Sequence, residues 1–331
     1  MNVDRLLERL DARDQAALAR AITLVENEGA GFERVLAHAC AGLGHARRIG
    51  ITGPPGAGKS TLLQTLIRAF RAQNLSVAVV AVDPTSPFTG GALLGDRIRM
   101  EQERADPHVF IRSMATRGSV GGLATTTEEV TDLLEAFGFE RILIETVGVG
   151  QTELDVASSA DTTVLMLTPE SGDGIQTLKA GVMEVADVYV INKSDRPGAD
   201  ALRREVEVML GLRRGQTLRH IAAHHRDQHT PSPEAAWEPP VVTTVATKEE
   251  GIAELMRALD RHANVAQRDD RTRRRLARRT RAVVERTLSR WLREVMHTDE
   301  LVERELDAVV ARRKSPYDVA AEVLEQLRVP R

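Results

Sequence analysis

An α/β fold built on a mostly parallel sheet is what the sequence predicts, and three observations carry that expectation. Seven short runs rich in β-branched residues recur between residues 49 and 245, separated by amphipathic stretches. These runs are apolar for 4 to 6 residues rather than alternating with polar ones, the pattern of strands covered on both faces. The first run ends in a glycine-rich turn that opens into a helix, so strand, loop and helix come in the order of a phosphate-binding unit.

In chain order, Leu6, Leu7 and Leu10, then Leu18, Ala21, Ile22, Leu24 and Val25, recur at helical spacing. They predict two or three helices in an N-terminal helical arm over 1–45. Strands are expected at 49–52, 77–82, 109–112, 142–145, 164–167, 188–191 and 241–245, with helices between them, giving a nucleotide-binding domain over 46–264. Residues 213–240, rich in Arg, His and Pro with little periodicity, read as a surface excursion. Beyond Asp270, Leu276, Val284, Leu288, Leu292 and Val295 again keep helical spacing. Two more helices are expected at 301–310 and 319–327, so 265–331 reads as a helical extension for dimerisation.

A chain of 331 residues with 42% hydrophobic and 28% charged residues has ample material for one large core. Its strongest apolar run, 77–82, is far too short to span a bilayer, and Met1 to Leu10 lacks the apolar stretch of a secretion signal, so a cytoplasmic protein with no membrane partner is expected. The single cysteine, Cys40, excludes an internal disulfide framework and a multi-cysteine metal site. A net charge of −3 gives no global attraction to nucleic acid. Eight arginines do fall within Arg268 to Arg281, but no aromatic stacking residue is interleaved, and a charged helix face explains them better than a nucleic-acid surface.

The glycine-rich turn is Gly53-Pro54-Pro55-Gly56-Ala57-Gly58-Lys59-Ser60, followed by Thr61, and it fits G-x-x-x-x-G-K-[ST]. Glycines let backbone N–H groups converge on phosphate oxygens, and the positive end of the helix adds to the attraction. Lys59 is suited to bridge the β- and γ-phosphates, and the Ser60 hydroxyl to coordinate magnesium. The base is indicated by Asn192-Lys193-Ser194-Asp195 at the end of the sixth strand. A carboxylate at Asp195 satisfies the adjacent N1–H and N2–H2 donors of guanine, which adenine does not present. Lys193 would lie along the ring plane and Asn192 would brace the pocket. The turn Val245-Ala246-Thr247 is a candidate backbone contact to guanine O6, and GTP and GDP are the expected ligands.

Carboxylates at strand tips complete the phosphate end. Glu145-Thr-Val-Gly148 stands where many phosphate-loop proteins have D-x-x-G; Glu145 can hold a magnesium-bound water and Gly148 can sense the γ-phosphate. Asp83 follows the second strand and Asp96 lies in a glycine-rich segment after it; a helix cap or a turn would also account for either. The segment Gly172-Asp173-Gly174-Ile175-Gln176-Thr177-Leu178-Lys179 carries flanking glycines that permit two backbone arrangements, with Asp173 and Lys179 able to pair in one of them. An ordinary connecting loop would read the same way. Val149 occupies the place of the water-orienting glutamine of small GTPases, and the nearest glutamine is Gln151, so intrinsic hydrolysis should be slow. Arg97, Arg99, Arg112 and Arg117 are candidate charge stabilisers.

Taken together, Gly53 to Ser60, Val82-Asp83-Pro84, Gly95 to Met100, Ile144 to Gln151, Gly172 to Lys179 and Asn192 to Asp195 resemble the MeaB/ArgK family of methylmalonyl-CoA mutase-associated GTPases, over most of residues 15–262. The resemblance implies a homodimeric GTPase of the SIMIBI class, a chaperone that gates adenosylcobalamin delivery to an acyl-CoA mutase and protects that enzyme, with an adenosyltransferase as a further partner. It also implies that Ser60, Asp83, Asp96 and Glu145 surround magnesium and that the loop from Asp173 to Lys179 is a nucleotide-responsive switch contacting the mutase. The segment Asp83-Pro-Thr-Ser-Pro-Phe-Thr89 departs from the commoner Ser-Ser-Thr-Arg-Thr version and leaves the identity of the mutase open. Two other readings stand beside this one. The family's older label, a transport-associated kinase, rests on the same phosphate loop. A metal-insertion GTPase is suggested by His220, His224, His225 and His229, although a solvated basic loop explains these histidines better, since Asp227 is the one carboxylate or thiol ligand near them.

Overall fold

The computed structural model describes residues 2–83, 106–115, 122–146, 159–170, 186–224, 237–266, 271–296 and 298–328. The chain forms two compact units, Met1–Arg275 and Leu276–Arg331. The division falls at Arg275, within a helix that runs from Arg271 to Met296.

The first unit opens with α1 (Val3–Asp11), α2 (Gln15–Glu26) and α3 (Phe32–Ala39). The side chains of Asn2 and Asp14 accept backbone N–H groups at the starts of α1 and α2, which fixes where those helices begin. There follow β1 (Arg47–Thr52), α4 (Lys59–Ala72), β2 (Val77–Asp83), β3 (Val109–Ala115), α5 (Gly122–Ala136), β4 (Arg141–Thr146), β5 (Thr162–Leu167), β6 (Val188–Asn192), α6 (Ala199–His224), β7 (Val241–Thr244) and α7 (Ile252–Ala266). The seven strands make one sheet in the order β3-β2-β4-β1-β5-β6-β7, every pairing parallel. All seven expected strands are present. The surface excursion is not as expected at its start: α6 runs on to His224, its weak periodicity having hidden a helix past residue 213.

Alternation along the strands assigns the two faces. Val77 and Val79 of β2, with Val188 and Val190 of β6, point to one side and pack with Leu62, Leu66 and Phe70 of α4 and Leu255 and Leu259 of α7. On the other side Ala78, Val80 and Val82, with Ile142 and Ile144, pack with α5 and with Leu18, Ile22 and Val35 of α2 and α3. Leu18 and Ile22 of the N-terminal helices are fully buried and cover the sheet. Tyr189 and Ile191 pack with Leu202 and Val206 of α6.

Buried polar networks close the N-terminal edge of the sheet. The guanidinium of Arg48 donates to Asp132 Oδ1 at 2.7 Å, to Glu135 Oε2 at 2.6 Å and to Thr131 Oγ1 at 3.1 Å. Glu135 Oε1 accepts the backbone N–H groups of Gly44, His45 and Ala46, at 2.6, 2.9 and 3.0 Å. Burial acts to raise the Glu135 carboxyl, but the Arg48 charge and these hydrogen bonds outweigh it and hold the group below the usual carboxylate range. Further along the same edge, His262 of α7 is fully buried, with Nδ1 2.7 Å from Thr162 Oγ1 and Nε2 3.2 Å from Asp187 Oδ1. The Trp237 indole N–H donates to the Asp187 carbonyl at 2.7 Å.

The second unit holds the rest of α8 (Arg271–Met296), with α9 (Thr298–Val310) and α10 (Pro316–Arg328). Lys314 fastens the α9–α10 turn by donating to Glu305 and Glu322, 2.7 Å each. Val284, Leu288 and Trp291 lie one and two turns apart on α8 and are exposed.

Candidate functional site

The C-terminal tips of β1, β2, β4, β5, β6 and β7 converge on the loop between β1 and α4. That loop is shaped by left-handed glycines. Gly53, at φ 145°, sits so close to β5 that a Cβ would stand 2.2 Å from the Met166 carbonyl oxygen, and a Cβ on Gly58, at φ 94°, would meet Asn192 Nδ2 at 2.6 Å. Only glycine fits where backbone and neighbour approach this closely. The loop includes Pro54, Pro55, Gly56 and Ala57, and the Ala57 N–H donates to the Pro54 carbonyl at 3.2 Å. No side chain caps the start of α4, so its first turn, which carries Lys59, Ser60 and Thr61, faces the loop in the geometry that receives anions. Lys59 is buried, and its ammonium donates to the carbonyls of Gly53 and Pro54, at 2.7 and 3.1 Å.

Across the loop, Ser60 Oγ donates to Glu145 Oε1 at 3.0 Å. Val82 pairs with Thr146 in the sheet, so Asp83 and Glu145 end adjacent strands. The contact between Ser60 and Glu145 joins two oxygen donors of the kind a hard divalent cation takes, and nothing softer is within the pair, which fits magnesium rather than a thiolate- or imidazole-bound metal.

The base-reading loop is tied to the phosphate loop by one buried side chain. Asn192 Nδ2 donates to the Ala57 carbonyl at 2.8 Å, while its Oδ1 accepts from Thr244 Oγ1 and from the Ala246 N–H, both at 3.1 Å. Thr65 of α4 adds a second tie, its hydroxyl donating to the Ala246 carbonyl at 3.1 Å. Val245 and Ala246 are buried, and Ala246–Lys248, which includes Thr247, forms a short 3-10 turn. Lys193 adopts φ 55°, and the Ser194 N–H donates to the Thr244 carbonyl at 3.1 Å. Asp195 is partly exposed, with Oδ2 3.4 Å from Lys248 Nζ.

The structure thus brings together Gly53 to Thr61, Glu145, Asn192, Lys193, Asp195 and Val245 to Thr247, with the backbone of Asp83 beside them. Asp96, Gly148, Gln151, Asp173 and Lys179 lie outside the described residues, as do Arg97, Arg99, Arg117, His225 and His229. Arg112 is turned elsewhere: its guanidinium pairs with Glu26 and donates to Thr23 Oγ1 of α2 at 3.2 Å, so it serves the attachment of α2 rather than the phosphate end. Among the described residues no group of three or more His, Cys, Asp or Glu side chains could hold a metal ion, and no helix is long and apolar enough to cross a membrane. Sequence reasoning missed Thr65, Thr244, Glu170 and Lys248. Only Lys248, next to the Val245-Ala246-Thr247 turn, carried a local signal.

The family model described as Methylmalonyl Co-A mutase-associated GTPase MeaB matches residues 18–300. A protein of Pyrococcus horikoshii is 41% identical over 98% of this chain and 98% of its own length. The GTPase ArgK of Escherichia coli is 35% identical over 76% of this chain and 73% of its own, and the mouse mitochondrial methylmalonic aciduria type A homolog is 38% identical over 76% of this chain and 61% of its own. Among solved structures, the LAO/AO transport system kinase superposes with a TM-score of 0.63 at 27% identity, covering 99% of both chains. A family match across most of the chain, on a parallel sheet whose strand tips gather a phosphate loop and a guanine-type N-K-x-D turn, makes this chain a P-loop GTPase belonging to the MeaB family.

Proposed function

We propose that this GTPase escorts an adenosylcobalamin-dependent acyl-CoA mutase in the cytoplasm, using its nucleotide state to gate cofactor delivery and to protect the mutase from inactivation. The observation that supports this reading is the family match over residues 18–300, which takes in the phosphate loop, residues 144–151 and residues 172–179. The relation to the mouse methylmalonic aciduria type A homolog points the same way.

In this reading the backbone of Gly53 to Thr61 and the Lys59 ammonium hold the β- and γ-phosphates, and Asp195 with Lys193 holds guanine. Ser60, Asp83, Asp96 and Glu145 are the oxygen donors for magnesium. Bound there, the ion would neutralise charge accumulating on the β- and γ-phosphate oxygens. Water attacks the γ-phosphorus, the bond from that phosphorus to the bridging oxygen breaks, and GDP and phosphate leave. Lys59 stabilises the bridging and terminal oxygens, Gly148 senses the γ-phosphate, and Gln151 is the side chain available to orient the water. With Val149 in the usual glutamine position, turnover is slow until a partner completes the arrangement.

Val284, Leu288 and Trp291, exposed along one line of α8, support assembly through a second copy of this chain. The segment from Asp173 to Lys179 is the proposed contact that reports nucleotide state to the mutase.

The deciding experiment measures GTP turnover with and without a purified adenosylcobalamin-dependent acyl-CoA mutase from the same organism. The mutase should accelerate turnover of the wild type, and Asp173→Ala and Lys179→Ala should blunt that acceleration while leaving GTP affinity near wild type. A mutase that neither changes turnover nor co-elutes with the GTPase would overturn the escort role.

A further inference from the structure

We infer that Glu170 is a positioning residue for base binding: it draws the Lys193 ammonium away from Asp195 and fixes the lysine stem along the base pocket, which slows nucleotide release. This rests on the guanine assignment made above for residues 192–195.

Glu170 lies three residues beyond β5, next to the tip of β6, where its carboxylate meets two cations of the neighbouring loop. Oε2 accepts from Lys193 Nζ at 3.1 Å, and Oε1 pairs with the Arg196 guanidinium. The main chain of that loop is already fixed. Lys193 sits at φ 55°, the Ser194 N–H donates to Thr244, and the Arg196 N–H donates to the Lys193 carbonyl at 3.0 Å. What remains free at Lys193 is its long side chain, and ordering such a stem at the moment of binding costs affinity. A carboxylate held from a second side by Arg196 supplies that order in advance.

Charge gives the second half of the argument. Asp195 must offer both carboxylate oxygens to guanine, and Lys193 stands only two residues before it. An ammonium without another anion would compete with guanine for Asp195. Glu170 gives Lys193 a different partner, so among the described residues the cation near the base-reading carboxylate is Lys248, at 3.4 Å. Glu170 and Lys193 are both solvent-accessible, so the effect is that of an exposed ion pair, about two- to five-fold in a rate or binding constant.

The test uses the full chain and a fluorescent GDP analogue, with release followed by stopped flow for Glu170→Gln, Arg196→Ala and the double variant. Glu170→Gln should release GDP about two- to five-fold faster and raise the KM for GTP by a similar factor, most clearly at low salt. The melting midpoint of the protein without nucleotide should not move, which separates positioning from a structural role. Arg196→Ala should release GDP at a rate between those of the wild type and Glu170→Gln, because Glu170 then keeps Lys193 but loses its second hold, and the double variant should match Glu170→Gln. A wild-type release rate in Glu170→Gln, a melting midpoint that falls with it, or an Arg196→Ala variant as fast as Glu170→Gln would each overturn the inference. Failure of the wild type to bind the GDP analogue would instead overturn the guanine assignment beneath it.

Discussion

Replacing Asn192 by alanine removes the side chain that holds the base-reading loop against the phosphate loop, and the loss can be worked from its three partners. The Ala57 carbonyl, the Ala246 N–H and the Thr244 hydroxyl are all buried, and Asn192 is itself 3% exposed. The hydroxyl can turn to another acceptor, but the two backbone groups cannot, and a stranded buried polar group costs about 1–3 kcal/mol. A loss of about 2–4 kcal/mol of stability is expected, reduced from the sum if water enters the vacated space. Binding should suffer separately. Freeing the Ala57 carbonyl loosens the phosphate loop, and about 1.4 kcal/mol of lost preorganisation is ten-fold in GDP affinity. Asn192→Asp separates the two effects: its carboxylate still accepts from Thr244 and Ala246 but sets an oxygen against the Ala57 carbonyl. The aspartate variant should therefore keep more stability than alanine while binding GDP at least as poorly. Urea unfolding gives the first quantity and titration with a fluorescent GDP analogue the second. An Asn192→Ala variant whose GDP affinity stays within about two-fold of wild type would refute the coupling of the two loops.

Three other variants test the remaining parts of the site and fold. Asp195→Asn should lose GTP affinity and gain xanthosine nucleotides, whose base presents an acceptor where guanine has its amino group; equal affinity of the wild type for ATP and GTP in competition titrations would remove the basis for this. Lys59→Ala should abolish turnover, and Glu145→Ala and Asp96→Ala should raise the magnesium concentration needed for half-maximal turnover, so magnesium titrations that match wild type for both carboxylates would refute the metal assignment. Arg48→Met leaves Asp132 and Glu135 buried without their cation and should cost about 3–5 kcal/mol at neutral pH. In the wild type Glu135 titrates below its unfolded value, so its contribution is present above that value and lost as pH falls through the lower folded one. In the variant, burial is opposed only by the backbone N–H groups of Gly44, His45 and Ala46, so the carboxyl lies higher than in the wild type and less stability is lost on acidification. The gap between the two proteins in denaturant unfolding should narrow from about pH 7 towards about pH 4, and a pH-independent gap would contradict the account.

What the sequence made legible was local in origin. The phosphate loop needs left-handed glycines between a strand and a helix, and Gly53, Gly56 and Gly58 declare them within eight residues. The strands declared themselves because a parallel sheet buries both faces, so runs such as Val77 to Val82 carry no polar interruption. Features that depend on distant partners were not legible. Helical spacing in Leu18 and Ile22 predicts an apolar stripe but not that the stripe covers β2 and β4. Asp132 and Glu135 of α5 are buried charges whose cation, Arg48, stands more than eighty residues earlier in the chain. Glu170 belongs to no motif, and its meaning comes from β5 and β6 being neighbours in the sheet.

The two edges of the sheet divide structure from chemistry. At the N-terminal edge, Arg48 with Asp132 and Glu135, and His262 with Thr162 and Asp187, satisfy one another inside the protein, with Ser76 and Glu140 tying the starts of β2 and β4. Polar groups so fully used have nothing left to offer a ligand, and removing one strands the rest, so that edge can only be rigid. At the C-terminal edge the charges of Glu170, Lys193, Asp195 and Lys248 are partly exposed, while Asn192 and Thr65 hold the main chain beneath them. A parallel sheet directs every strand tip to that one edge, which is where ligands bind in such folds. Base loop, phosphate loop and Glu145 of β4 all lie at that edge, which under the proposed function puts them within reach of one nucleotide. Under the same proposal, an event at the γ-phosphate beside Ser60 and Glu145 is read out at the segment from Asp173 to Lys179.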